Sequence, residues 1–589
     1  MFSFAFAELI LHRVLTSSTA PPLIATQPSF IHRWVSKPWL SRRPIDLRSV
    51  LLLLLIFGVC CVLLLPLAGL ISFALSSISA VDASNGNTLS HLFQTIIPRY
   101  LLNTLGLVAT VLITVMLLGV GCAWITATCR FPGHGFLSWA LVLPLAVPSF
   151  VMAYAYTDLL DTSGPVQAAF RSATGLAIGG YWFPQIRSVA GAGLMLGFAL
   201  YPYVYLVARH AFEERNASAI EAAQTLGLTS SQIWWQVTWP MARPAIAAGA
   251  SLVLMESLAD FGAVSYFSVE TFTTGIYRAW LSMGDKASAV RLALMLLAFV
   301  AALVWWEQRE RKAIRTYSRS TRKVPPRQLH GANAALAALI CAVPLCAGFV
   351  LPVVVLLKVA QHAWVGFDPR MGLWIQNGLV LASVSATLIM GLAILLSYGN
   401  RLLQSQFAGF ASAIAQSGYA MPGLVVAVGL MAAISVIDQG LERIGSSWFL
   451  SGSVLALVFA YAVRFIAVGF QSIDAALHRI SPAMDYCARS LGRNVWGVWV
   501  EVHWPLIRRA VLAGFLLVFV DCFKELQTTL VLRPFNFDTL VVVAYQFASD
   551  ERLAEAAVPS LVIVAISVIP VLLLWRSEEK NSELSRNGR

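Results

Sequence analysis

The sequence predicts an all-α integral membrane protein with about twelve transmembrane helices, arranged as two tandem, parallel halves of six helices each. Two observations lead to this fold class. Of the 589 residues, 58% are hydrophobic and only 12% are charged, which is far from the composition of soluble domains. In addition, a polar segment with one fixed spacing of glycine and proline occurs twice, once in each half.

About twelve apolar segments are long enough to span a membrane, because a hydrocarbon core of roughly 30 Å needs about 20 helical residues. Prolines such as Pro144 and Pro148 inside a span are tolerable, since neighbouring helices can satisfy the freed backbone groups. The predicted spans are 50–75, 100–128, 136–160, 189–212, 243–267, 287–306, 333–360, 373–399, 409–437, 451–472, 508–532 and 556–575.

Basic residues predict the orientation of these spans. They concentrate in segment 1–48 and again in segment 307–332, which favours the cytoplasmic side for both. The even number of spans between the two segments agrees with this, and both termini and both repeated segments are then expected in the cytoplasm. The net charge of +12 is read as topology and attraction to anionic lipid headgroups rather than to nucleic acid.

The two halves are predicted to be a tandem duplication. Gly227 and Pro240 correspond to Gly492 and Pro505 at one constant offset of 265 residues. The predicted organisation is an N-terminal cytoplasmic segment 1–48, a first transmembrane domain 49–306 with the repeated loop 213–243, a basic linker 307–332, a second transmembrane domain 333–576 with the loop 478–508, and a cytoplasmic tail 577–589.

Each repeated loop is predicted to form a helical hairpin. In the first copy a helix over 213–226 ends at Gly227, whose type suits the left-handed conformation, and Thr229 or Ser230 caps a second helix over 231–238 that ends at Pro240. The second copy has Gly492, Asn494 as a possible cap, and Pro505. Small alanines on the first helix would let a partner approach closely. The tryptophans are read as anchors for that partner or as residues floating at the headgroup interface: Trp234, Trp235, Trp239, Trp496, Trp499 and Trp504.

Glu-Ala-Ala, three residues, Gly and a Pro thirteen residues later resembles the EAA loop of ABC-importer permeases with the type I, maltose-permease-like fold. The resemblance implies coupling helices that seat on two copies of a cytoplasmic ATPase. The residues it assigns to coupling are Glu221, Ala222, Ala223, Gly227, Pro240, Ala488, Gly492 and Pro505. In the second copy Tyr486 replaces the glutamate, and Asp485 is one residue early, about 100° around the helix. Unequal ATPase contacts are therefore expected.

The segments after each loop are similar to the fused permeases of ferric-iron importers. They are Asp260-Phe261-Gly262 with Thr271 to Trp280, and Lys524-Glu525-Leu526 with Leu532 to Leu540; Gln527 stands where that pattern has proline. The resemblance implies a permease of the bacterial inner membrane that receives ferric iron from a periplasmic or extracellular binding protein. Related fused permeases carry thiamine or phosphonates, so these and other small solutes stay open as cargo.

Catalysis by this chain is not expected. It has no Gly-Lys dipeptide and hence no phosphate loop for ATP, so the resemblance leaves ATP and Mg on the partner ATPase subunits. The alternatives are an ion-coupled secondary transporter, which predicts inverted repeats, and a channel or scaffold, which would not need two docking loops. Parallel halves with two such loops favour the ATP-driven importer.

Four acids inside spans are the candidate translocation pathway. Glu256 and Asp260 are expected one turn apart on one helix face, and Asp521 and Glu525 repeat this arrangement. Carboxylates in a membrane are costly unless they face a cavity or a partner, and together they would offer oxygen ligands to a hard cation such as Fe(III). The alternative is helix packing, with Lys524 neutralising Asp521. No stable metal site is expected, because an importer has to release its cargo.

Overall fold

The computed structural model describes residues 47–81, 96–215, 217–312, 324–362, 368–403, 405–445 and 449–587. Nearly all of the predicted N-terminal segment 1–48 and the centre of the linker 307–332 lie outside the described residues. Within the described ranges the protein is built from helices and one pair of two-residue strands.

The helices of the first half often break or change pitch within a span. They are α1 (Leu47–Val81), α2 (Ile97–Val115), α3 (Gly121–Thr128), α4 (His134–Ala140), α5 (Ser149–Leu160), α6 (Pro165–Thr174), α7 (Val189–Glu213), α8 (Ala217–Thr225), α9 (Ser230–Ile233), α10 (Trp239–Ala259), α11 (Gly262–Tyr266), α12 (Phe272–Tyr277) and α13 (Lys286–Lys312), with strand β1 at Cys129–Arg130. Short π- or 3-10-helical turns lie at Met116–Val120, Leu143–Ala146, Trp234–Thr238 and Arg278–Ser282.

The second half has a similar series of helices around its own hairpin. It consists of strand β2 (Arg327–Gln328) and helices α14 (Gly331–Leu345), α15 (Leu351–His362), α16 (Met371–Leu403), α17 (Gln406–Ser417), α18 (Gly423–Arg443), α19 (Val454–His478), α20 (Pro482–Ser490), α21 (Val495–Val498), α22 (Trp504–Phe523), α23 (Gln527–Leu532), α24 (Leu540–Ser549) and α25 (Leu553–Asn587). Its π- or 3-10-helical turns are Cys346–Val350, Gly418–Ala420 and Trp499–His503.

Each predicted span coincides with a helix or with consecutive helices. Nine of the described helices are long and apolar enough to cross a membrane, and a bent pair, His134–Ala146 with Ser149–Thr174, would make ten. That pair meets at 95°, next to Pro148. The two remaining predicted spans contain α10 and α22, which are 21 and 20 residues long and carry Glu256 and Asp521.

The two halves exchange their first spans. Helix α1 packs on α18 of the second half, and α15 packs on α5 of the first. The backbones of α1 and α18 come very close, because a Cβ added at Gly69 would lie 2.2 Å from the carbonyl oxygen of Gly429. Small residues of this kind allow close helix packing where no hydrophobic force from water holds helices together.

Both hairpins lie at one end of the helix bundle. Strand β1, at the end of the second span, pairs in parallel with β2, just before the seventh span, and Leu329 N donates to Arg130 O at 2.9 Å. The eighth span, α16, returns to this end, where Tyr398 contacts Trp499 of the second hairpin. The assignment of this end to the cytoplasm stays a prediction from the basic residues.

Candidate functional site

A cavity of about 120 Å³ lies between the two halves. Its lining includes all four acids of the predicted pathway, Glu256 and Asp260 from the first half and Asp521 and Glu525 from the second. A water molecule needs about 10–15 Å³ of such space, so the cavity has room for several waters or for a partly hydrated ion. The structure thus brings both acidic pairs into one chamber, while their role in translocation stays a prediction.

The acids lie where two spans break. The expectation that each acidic pair lies on one helix is wrong, since α10 ends directly before Asp260 and α22 ends two residues before Glu525. The carboxylates explain the breaks, because each accepts from the first amides of the short helix that follows. Asp260 Oδ1 accepts from Ala263 N at 3.0 Å, and Glu525 Oε1 accepts from Thr528 N at 3.0 Å. The break after α22 forms without the proline of the family pattern, because Gln527 stands at that position and is the first residue of α23.

Hydroxyl groups contact the two acids of the first half. Ser149, the first residue of α5, donates to Asp260 Oδ2 through a short hydrogen bond. Tyr419, which belongs to the second half, donates to Glu256 Oε1 at 2.6 Å. These neutral donors stabilise the carboxylates without cancelling their charge.

Cations contact the two acids of the second half. Arg464 Nη1 forms a short ion pair with Glu525 Oε1, and each of these residues is 7% exposed. Lys524 Nζ lies 3.2 Å from Asp521 Oδ1, so this acid both lines the cavity and pairs with the lysine. Four carboxylates and two cations leave a formal excess of two negative charges, which favours cations over anions in the cavity.

Sequence reasoning overlooked Arg464. This arginine lies in the middle of α19, within the predicted span 451–472, and lines the cavity. The available signal was its charge, because an ionisable residue inside an apolar span faces a partner or a cavity by default. Tyr419 and Ser149 carry no comparable signal, since hydroxyl residues are common in membrane helices.

The cavity acids are not packed as a metal site. Within the described residues, no group of three or more His, Cys, Asp and Glu side chains is placed to hold a metal ion. The expectation that this chain binds no cofactor and no stable metal remains a prediction.

The two hairpins have the same turn. Gly227 has φ of +81° and Gly492 has φ of +80°, both in the left-handed region that glycine adopts without strain. Leu228 N donates to Ala223 O and Arg493 N donates to Ala488 O, each at 3.1 Å, as in a Schellman motif. The predicted caps are also present, with Thr229 and Gln232 forming a capping box and Asn494 accepting from Gly497 N.

The hairpins differ in detail from the sequence prediction. The first helix of the first copy is α8, which begins at Ala217 and not at 213. Pro240 and Pro505 do not end a helix, because each lies in the first turn of α10 or α22, where a missing N–H costs little. The chain therefore passes from hairpin to span through a π-helical turn, without a break in the helical path.

The alanines and tryptophans of the hairpins divide between inward-facing and outward-facing positions. Ala223 and Ala488 are 5% and 8% exposed and pack mainly on the protein itself, while their assignment to ATPase coupling stays a prediction. Trp234 packs on Trp124 of α3, with ring centroids 4.2 Å apart. The hairpin side chains that do face outward include Glu221, Ala222, Leu226, Trp235, Pro240, Tyr486, Leu491, Trp496 and Pro505; Gly227 and Gly492 are exposed as well.

The second hairpin is fixed to its span by an ion pair. Asp485 accepts two hydrogen bonds from Arg401, both at 3.0 Å, and a third at 2.8 Å from His503. Its side chain is 19% exposed, whereas Tyr486 beside it is 67% exposed. Burial raises the pKa of Asp485, but the bonds from Arg401 and His503 outweigh burial and hold the pKa below its ordinary value. As its position on the helix predicted, Asp485 does not replace the missing glutamate.

Residues 116–315, which include the first hairpin and the first acidic pair, match the family of binding-protein-dependent transport system inner membrane components. This match to about a third of the chain, together with the relatives described below, supports an ABC-importer permease. The permease is therefore a multi-pass component of an inner-membrane ABC importer. The family implies that it works with a substrate-binding protein and with ATPase partners.

Three relatives illustrate the range of the match. The permease is 24% identical to the Fe(3+)-transport system permease protein FbpB 2 of Haemophilus influenzae, over 87% of this chain and 97% of that protein. It is 24% identical to the putative ferric transport system permease protein FbpB 1 of the same organism, over 64% of this chain and 61% of that protein. The molybdenum transport system permease protein ModB of Escherichia coli is 26% identical over 31% of this chain, which is 78% of its own length. The last match has the size expected when one half of a fused permease corresponds to a whole separate subunit.

Proposed function

We propose that the permease carries ferric iron into the cytoplasm. A binding protein outside the membrane delivers the iron, and two copies of a separate ATPase, which alone bind ATP and Mg, dock on the two hairpins. The carboxylate-lined cavity between the halves is the observation that carries this proposal, because Fe(III) is a hard ion that prefers oxygen ligands. The names of two relatives, which refer to Fe(3+) or ferric transport, support the same cargo.

The hairpins are joined mechanically to the cavity. Helix α10 starts within the first hairpin, at Trp239, and reaches Glu256 about 26 Å further along at 1.5 Å per residue. Helix α22 connects the second hairpin to Asp521 in the same way. A movement of either hairpin by an ATPase subunit is thus transmitted along one rigid helix to a cavity acid. Alternating access then follows from rocking of the halves as the ATPase dimer closes and opens.

The electrostatics of the cavity favour a cation that passes through. Two excess negative charges attract a cation and repel phosphonate or other oxyanions. Because no three acids among the residues that the structure describes are placed to hold a metal ion, the cavity offers the ion partial ligation and not a complete coordination shell, so that release stays fast. Thiamine, which is also a cation, is the cargo that this reasoning separates least from iron.

The test is uptake by the reconstituted complex. Purified permease is placed in liposomes with its ATPase and internal ATP, and binding protein is offered with radioactive Fe(III), thiamine or phosphonate. ATP-dependent uptake of Fe(III) alone is expected, with a loss of at least about tenfold for Glu256→Gln, which removes one cavity charge. Uptake of thiamine or phosphonate in place of iron would overturn the cargo. Uptake driven by an ion gradient without the ATPase would support a secondary transporter.

A further inference from the structure

The cavity is chemically one-sided although the two halves are a duplication. At the offset of 265 residues, Asp260 corresponds to Glu525, but Ala199 stands where the second half has Arg464. The correspondence is structural as well, since Ala199 and Arg464 are each the eleventh residue of their helices, α7 and α19, and both line the cavity. Ala259 stands likewise where the second half has Lys524. Among the described residues that line the cavity, both cations therefore come from the second half.

The backbone of the second half makes room for the guanidinium. Gly423 is the first residue of α18, at the place that Ser149 holds in α5. A Cβ at Gly423 would lie 2.2 Å from Arg464 Nη1 and 2.9 Å from Glu525 Oε1, so any side chain there would displace the ion pair. In the first half the same position supplies a neutral hydroxyl, which gives Asp260 a hydrogen bond but no counter-charge.

We propose that Arg464 is a resident counter-cation, which occupies the place of the cargo at Glu525 while the cavity is empty. The inference rests on the proposed function and adds the order of events. A cargo cation binds first to Glu256 and Asp260, whose partners are neutral hydroxyls, and reaches Glu525 only when the guanidinium moves away. Return of Arg464 to Glu525 then releases the cargo, because one carboxylate cannot be neutralised by both cations.

A counter-cation solves two physical problems of an acidic pore. A buried carboxylate without a partner is costly in the empty state, and Arg464 removes this cost at Glu525. Without the arginine the cavity would carry three excess negative charges in place of two, and a trivalent cation would be held too tightly for turnover. The competing explanation is a fixed pair that only packs α19 against the break after α22, with no exchange.

Three variants separate these explanations, with Tb(III) as a redox-inert, hard trivalent probe of the purified permease–ATPase complex. Arg464→Gln raises the excess charge and should tighten Tb(III) binding at least about tenfold, while kcat and KM for cargo uptake both fall. Gly423→Ala keeps both charges but displaces the guanidinium, which is the flexible end of its side chain, and should act in the same direction. The double variant Arg464→Gln with Glu525→Gln restores the original excess of two charges and should bind Tb(III) within about threefold of wild type.

Control variants distinguish an exchanging counter-cation from a purely structural ion pair. Arg370→Gln removes an exposed arginine outside the cavity and should leave Tb(III) affinity unchanged. Unchanged or weakened Tb(III) binding in Arg464→Gln would overturn the proposal. Assembly of the double variant when Arg464→Gln and Gly423→Ala both fail to assemble would also overturn it, because this pattern marks a purely structural pair. Failure of all three variants to assemble would overturn it in the same way. Uptake of a cargo other than iron by the wild-type permease would refute the proposed function. The role of Arg464 is tested separately, by the ratio of the Tb(III) affinity of each variant to that of the wild type.

Discussion

Asp485→Ala should loosen the second hairpin while the first stays ordered. The side chain of Asp485 is mostly buried and accepts three hydrogen bonds, two from Arg401 and one from His503. Arg401 would keep its bonds to the carbonyl oxygens of Leu477 and Ile480 but lose its counter-charge. Removing one partner of such a network costs about 2 kcal/mol, which corresponds to roughly 30-fold more frequent local opening.

Hydrogen exchange of the backbone amides measures this opening. Amides of α20 (Pro482–Ser490) should exchange about 30-fold faster in Asp485→Ala, while those of α8 (Ala217–Thr225) provide an internal reference. The reference is well matched, because Ile220 stands at the position of Asp485 in the first hairpin. Arg489→Ala, on the exposed side of α20, serves as the substitution control. Equal change in α8 and α20, or no change in either, would refute the reasoning.

The same network predicts a pH dependence with a definite sign. Because the pKa of Asp485 is lowered in the folded hairpin, its stabilising effect is fully present above the pKa of the unfolded chain, about 3.9, and is lost as pH falls through the folded value. Loss of the Asp485 contribution is therefore expected only below about pH 4. Protection of α20 that depended on Asp485 and already fell between pH 7 and 5 would contradict this assignment.

Three further sets of substitutions test the hairpins and the cavity. Alanine at Gly227 or Gly492 meets no atom within 4 Å but must adopt a left-handed backbone at about 1 kcal/mol, so ATP hydrolysis should continue with reduced transport per ATP and normal membrane insertion. Tyr419→Phe removes the hydroxyl that donates to a cavity acid and should lower the KM for cargo about tenfold; an unchanged KM would exclude this acid from cargo binding. Glu221→Gln should reduce stimulation of the ATPase about threefold or more, whereas Tyr486→Gln should change this stimulation by less than about twofold. Equal losses would show that the two hairpins contact the ATPase equivalently.

The parts of the fold that sequence patterns predicted are local. The glycine turns, the caps at Thr229 and Asn494, and the position of Asp485 about 100° from that of the missing glutamate follow from residue type and from spacing along one helix. Because the two halves are related by one constant offset, a prediction made for one hairpin also applies to the other. None of these features needs knowledge of which distant segments meet.

The parts that sequence patterns missed are tertiary. The breaks after α10 and α22 depend on carboxylates that cap the next short helix. The presence of an acid inside an apolar span does not by itself predict such a cap. Glu256 meets Tyr419, a residue 163 positions away, and no periodicity links them. The exchange of first spans is equally hidden, because lipid-facing and helix-facing positions are similarly apolar and only glycines such as Gly69 mark the contact.

The two halves differ in a consistent way, with charged contacts in the second half where the first half has neutral ones. Helix α22 is held near both ends, because His503 donates to Asp485 before its start, and at its end Lys524 pairs with Asp521 while Glu525 pairs with Arg464 of α19. Helix α10 has Thr238 and Ala259 at the corresponding positions, and its acids meet neutral hydroxyls. An ion pair resists displacement more strongly than a hydroxyl contact when it is shielded from water. The second half is therefore built to hold its helix in place, and the first half is built to let its helix and its two charged acids respond to cargo and to the ATPase.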